Sequence, residues 1–304
     1  MFNRSFVFIT YSLVIAFVCF YLVHSLFLGI SDDEAYYWIL AQKPSLGFAF
    51  HPPLVTWMIA LSQKIFSFIL PINSVFILRF FSVFCSTFIF ALALYWMKIA
   101  GVEVRNLWKG ALVFLSFAGW SSLCWLMVPD SGLFLGWMLL FVSTWMLCFN
   151  TPSTICFVML VFGSCISLLS KYSGVLSIFS AGFCMFFWCS KENKKKAFLW
   201  LGIGTAVAMI PIWIWNHNNN WVSVLYQIQG RHSGTKADFI RYLRFWLVEI
   251  FCAGPVLIYY FLVCSHELKI THRSQDIFQF GFFQSRWCFV FSPCGLILKF
   301  IGHL

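Results

Sequence analysis

Runs of apolar residues long enough to cross a bilayer recur along nearly the whole chain, and only a membrane-embedded helix bundle accommodates so many of them. The runs lie near residues 6–30, 75–97, 110–127, 131–149, 154–170, 173–190, 197–215 and 243–264, with a weaker one at 277–301. They predict an all-α, polytopic transmembrane bundle of eight or nine spans. Composition agrees: 61% of the 304 residues are hydrophobic, 10% are charged and 39 are Phe, more apolar material than a soluble core employs. The formal charge of +10 falls largely in short segments between apolar runs. That placement suits helix orientation and lipid head groups and argues against nucleic acid as a partner. Most of the 12 Cys, among them Cys19, Cys85, Cys124, Cys165 and Cys184, lie inside apolar runs, and no CxxC pair occurs, so they read as small core side chains.

The run at 6–30 is too long for a signal-peptide core and lacks a small-residue cleavage site, so it is expected as a retained first helix. Leu54 to Leu70 is ambiguous, because it is short and interrupted by Gln63 and Lys64. If it does not cross, the basic segments 98–109, 191–196 and 265–273 share one side with Arg4, the positive-inside arrangement. Residues 31–74 are therefore expected outside, as a loop with one or two interfacial helices. With this topology nearly all the polar chemistry faces one compartment.

Asp32, Asp33 and Glu34 stand side by side after the first run, followed by the interface-favouring aromatics Tyr36, Tyr37 and Trp38. Carboxylates at the mouth of a membrane helix are costly unless used. Asp33 is a candidate general base, with Glu34 or Asp32 as a metal ligand or hydrogen-bond partner. Asp130, in the turn Pro129-Asp130, is a second acid fixed between two helices. Lys171, beside Tyr172 between two apolar runs, suits an anion such as a lipid phosphate, although a lysine snorkelling to head groups explains it as well. His51 in His51-Pro52-Pro53 is a candidate ligand or a structural histidine. Asn216 lies in a polar loop between Trp215 and Trp221 that suits sugar hydroxyls or a plain interfacial turn. Arg231 and His232 follow on the same side and can meet phosphate or acceptor. Gly132 and Gly136 have helix-packing spacing.

In this order, the motifs Asp33-Glu34-Ala35-Tyr36-Tyr37-Trp38, His51-Pro52-Pro53-Leu54, Pro129-Asp130, Ser170-Lys171-Tyr172, Trp215-Asn216 and Trp221-Val222-Ser223 resemble the bacterial branch of the dolichyl-phosphate-mannose-protein mannosyltransferase superfamily. These are membrane glycosyltransferases of the GT-C fold, related to the lipid A aminoarabinose transferase. The resemblance covers roughly residues 5–250 and implies a transferase core over 1–264. It implies that Asp33 activates the acceptor or helps hold a divalent metal, with Glu34 as its neighbour and Asp130 as the second acid. Lys171, Tyr172 and Arg231 would meet the phosphate of a polyprenyl-phosphate sugar. His51, Asn216 and His232 are the remaining candidate substrate contacts.

The implied partners are that donor, a lipid, glycan or protein acceptor, and membrane lipids, with the active face toward the outside of a bacterial inner membrane. Three nearby acids fit either an oxygen-ligand site for Mg or Mn or a purely electrostatic role. Family members usually run longer. Beyond about His266 the resemblance fades, and 265–304 is expected to be an atypical, truncated or frame-shifted segment, which would leave the donor site without its roof. A transporter or flippase for a polyprenyl-linked lipid is the rival reading, and an inactive remnant a third.

Overall fold

The computed structural model describes residues 4–71, 74–116 and 125–230, together with Ile240 and Leu243. Among the described residues the regular structure is entirely helical. The α-helices whose bounds are described follow in chain order: α1 Arg4–Phe27, α2 Asp32–Ala41, α3 Leu54–Phe66, α4 Val75–Ile99, α5 Leu107–Leu115, α6 Pro129–Phe149, α7 Thr154–Ser170, α8 Gly174–Trp188, α9 Lys191–Asn218 and the short α10 Val222–Leu225. A single π-helical turn, Tyr226–Gly230, follows α10. Four of these helices, α1, α4, α6 and α9, are long and apolar enough to cross a membrane. The expected runs at 243–264, apart from Leu243, and at 277–301 lie outside the described residues.

The segment expected as an outer loop does carry two helices, α2 and α3. At 13 residues, α3 is about 20 Å long against a hydrocarbon core of about 30 Å, too short to cross upright. The helices α7 and α8, expected as spans, are apolar and shorter than α1, α4, α6 and α9, at 17 and 15 residues. Two expected boundaries differ from the structure. Of the run expected over 110–127, the structure describes α5, which ends at Leu115, where the Ser116 N–H bonds back to Leu112 O, while residues 117–124 lie outside the described residues. The basic tract 191–196, expected as a connecting segment, is the opening of α9. Lys and Glu are good helix formers, and Glu192 in the first turn complements the helix dipole, so the backbone coils where hydropathy alone would end the element.

The chain forms two compact units. The first comprises residues 1–17, 90–122 and 236–304. Its described part is an aromatic and aliphatic cluster in which Phe17 stacks on Phe90 at 4.7 Å and Phe90 meets Phe114 at 5.9 Å. Leu94, Met97, Leu107 and Ala111 are buried in the same unit.

The second unit, residues 18–89 and 123–235, holds every described candidate site residue. Its centre is α6, buried along most of its length, with α7 as its main neighbour. Close approach explains the small residues on both. A Cβ on Gly136 would collide with the Ser167 side chain and lie 2.8 Å from the Gly163 carbonyl oxygen. Gly132 abuts Ser170 one turn away, so the Gly132 to Gly136 spacing is packing, as its sequence suggests. Two further clusters flank this pair. Tyr37 and Ala41 from α2 join Val55 and Ile59 from α3, with Leu78 and Met127. Leu168 and Leu169 from α7 join Ala208 and Ile212 from α9, with Leu54, Trp57 and Tyr172 packed against them.

Candidate functional site

The acidic cluster is a helix start. Ser31 is the N-cap of α2: its hydroxyl accepts from Glu34 N–H at 3.3 Å, and its own N–H donates to Glu34 Oε2 at 3.1 Å, closing a capping box. Three carboxylates in the first turn also meet the positive end of the helix dipole. Successive helical residues point about 100° apart. Asp32 and Asp33 are accordingly exposed, whereas Glu34 is fully buried.

Glu34 is committed to Arg79 of α4. Arg79 Nε and Nη2 donate to Oε1 and Oε2, each at 2.7 Å, and Met127 N–H donates to Oε1 at 3.1 Å. Burial by itself would raise the Glu34 pKa. The Arg79 guanidinium and the Ser31 and Met127 N–H groups outweigh it and hold the carboxyl below its ordinary value. Arg79 spends its other donors on the carbonyls of Ser25, Leu28 and Gly29 beyond and within the last turn of α1, and its guanidinium lies 4.6 Å over the Trp125 ring. All five guanidinium N–H groups are thereby used. A cation already fills the place a metal would take at Glu34, and both oxygens carry donors, so Glu34 does not fit the expected role of metal ligand. Among the described residues no group of three or more His, Cys, Asp or Glu is placed to hold a metal ion.

Asp130 and Lys171 form the second ion pair. Pro129 opens α6, which puts Asp130 in its first turn, and Lys171 is the extended residue (φ −155°, ψ 143°) that ends α7. Each charge thus sits at the helix end that favours it. Lys171 Nζ donates to Asp130 Oδ1 at 2.9 Å and Oδ2 at 3.1 Å, and both side chains remain 20% exposed.

Tyr37 links the two acidic positions. It is buried, and that burial, with the neighbouring carboxylates of Asp33 and Asp130, holds its hydroxyl protonated well above the ordinary tyrosine range. The His51 ring meets Tyr37 edge to face at 6.0 Å. Asp33, Tyr37, His51, Asp130 and Lys171 therefore fall in one neighbourhood. Tyr172, next in the chain after Lys171, has its hydroxyl 2.6 Å from Ser223 Oγ.

Asn216 is nearly fully buried in the last turn of α9. Its Nδ2 donates to Ile212 O at 2.9 Å, and its Oδ1 has no partner among the described residues. The expected polar loop is short: Asn220 and Trp221 take left-handed backbone (φ 53° and 58°), and Trp221 N–H returns to Asn216 O at 2.9 Å. Arg231 and His232 lie outside the described residues.

Sequence reading missed Arg79, and it named Tyr37 and Ser223 only as members of motifs, without a role at the site. The signal for Arg79 was present, since an arginine inside the apolar run 75–97 demands a partner. Nothing in the spacing identifies Glu34, 45 residues away, as that partner. No family model matches the chain, and no curated protein matches it.

Proposed function

We propose that this chain is a membrane glycosyltransferase that moves a sugar from a polyprenyl phosphate to a lipid, glycan or protein acceptor at the outer face of a bacterial inner membrane, in a bundle of eight or nine spans. The observation that carries the reading is the half-open Asp130–Lys171 pair, with the exposed carboxylate of Asp33 and that of Asp130 both acting on Tyr37: a cation for phosphate and an acid for a hydroxyl proton. The ordered succession of motifs from Asp33 to Ser223 supports it from the sequence side.

In the transfer, an acceptor hydroxyl oxygen attacks the anomeric carbon from the face opposite the phosphate. The new carbon–oxygen bond forms as the bond to the phosphate oxygen breaks, which inverts the anomeric configuration. Asp33 takes the hydroxyl proton. The electron pair of the broken bond leaves with the polyprenyl phosphate, whose charge Lys171 stabilises, so no strong general acid is required. Lys171 is held by Asp130 at rest, and the donor phosphate shares or takes over that cation. Tyr37 and His51 line the acid side; Tyr172 and Asn216 belong to the donor side. Glu34 positions Asp33 through the helix start and takes no part in proton transfer.

The test is transfer of labelled sugar from a polyprenyl-phosphate pool in membranes carrying this chain, beside the Asp33→Asn form. Transfer by the parent chain and its loss in the variant are expected. Equal transfer by both would remove Asp33 from the chemistry, and none by either from well-folded protein would remove the reading.

A further inference from the structure

We infer that Arg79 is a positioning residue that sets both acid-bearing helix starts from a single face of α4. The inference deepens the transferase reading and rests on it only for its effect on rate; the geometric claim stands by itself.

Three sets of bonds meet at this face. Toward α1, Arg79 closes the carbonyls of Ser25, Leu28 and Gly29, groups that a helix end leaves without internal donors. Toward α2, its fork grips both oxygens of Glu34, the residue that follows Asp33 and closes the capping box with Ser31. Toward α6, the same carboxylate receives Met127 N–H, and the Trp125 ring lies against the guanidinium. One turn along α4, Ser82 Oγ donates to Leu126 O at 2.6 Å, and Ser131 Oγ donates to the same carbonyl at 2.7 Å. The strand of backbone from Trp125 to Val128, which delivers Asp130 to the start of α6, is therefore held from the same side as Glu34.

Such a network has little slack. Arg79 is 1% exposed and Glu34 not at all, so neither can exchange its partner for water. A buried pair adds little net stability over an apolar replacement, but it admits only one register, because any other leaves a charge unpaired. A lysine offers no planar fork and cannot reach the same set of acceptors. The consequence is that the separation of Asp33 from Asp130 depends on Arg79, which touches neither.

Hydrogen exchange of the purified full chain in lipid nanodiscs tests this, with Arg79→Met, Arg79→Lys and Glu34→Gln beside the parent. Exchange in 31–41 and in 125–131 is expected to accelerate together, about tenfold or more in each variant, with α7 unchanged. Loosening confined to one segment, or to neither, would overturn the inference. If Arg79→Met does not fold, Arg79→Gln combined with Glu34→Gln leaves no lone buried charge and carries the same comparison. In the transfer assay the Arg79 variants are expected to lose kcat while the donor KM stays within about twofold, and a loss confined to KM would count against positioning. Coupled loosening in a chain that transfers no sugar would keep the inference and sink the transferase reading. Transfer with uncoupled exchange would do the reverse.

Discussion

The two ion pairs of the second unit use the same charges for opposite purposes. Arg79–Glu34 is sealed from solvent and saturated: every guanidinium N–H has an acceptor, and both carboxylate oxygens have more than one donor. Lys171–Asp130 is a fifth exposed on each side, and the two oxygens of Asp130 share one ammonium. A saturated pair holds a geometry and has nothing left to offer a ligand. An open pair stabilises less and keeps a cation and a carboxylate available to something that enters.

Removing one partner from each pair should separate them most widely. Arg79→Met leaves Glu34 charged and enclosed and is expected to lower stability by about 3–5 kcal/mol, whereas Lys171→Met should cost about 1 kcal/mol or less, both read by thermal unfolding in detergent. Comparable losses would erase the distinction between lock and site. Against sugar transfer the order should change: Lys171→Met is expected to raise the donor KM or to abolish transfer while the protein remains folded.

Acid should act on the locked pair. The Glu34 carboxyl is held below its ordinary value of 4.5, so its contribution to stability is complete above that pH and is lost as pH falls through the lower folded value. A plot of melting temperature against pH is expected to drop on the acid side in the parent chain and to lose part of that drop in Glu34→Gln. An unchanged slope in the variant would remove Glu34 as its source. Near the open pair, Tyr172→Phe deletes one hydrogen bond to Ser223 and should cost about 1 kcal/mol, measured in the same melts.

Much of the helical framework is legible in the apolar runs. The stretch read as 154–170 is α7 to the residue, and that read as 75–97 is α4 less its final two positions. Hydropathy fails where charge and coil part company, as at Lys191, because ammonium groups end an apolar run without ending a helix. The site was legible in kind, and less so in detail. Asp130 and Lys171 announce themselves as charges at the ends of apolar runs, and the structure brings them together. Glu34 was read with Asp33 because the two are adjacent, but adjacency on a helix turns neighbours to different faces, and here it puts one in water and the other on an arginine. Tyr37 became visible only through the fold, since nothing local marks one tyrosine of a pair as the one facing two acids.

The Arg79–Glu34 pair also bears on how the chain enters its membrane. Residues 4–41 are made first, so the carboxylate stands ready before the arginine emerges from the ribosome. An arginine on an isolated apolar helix resists lipid, and this one loses its net charge on meeting Glu34. The position of α4 is thereby tied to those of α1 and α2. The three helices cannot settle independently of one another, and the register of the acidic helix is already part of the resting fold.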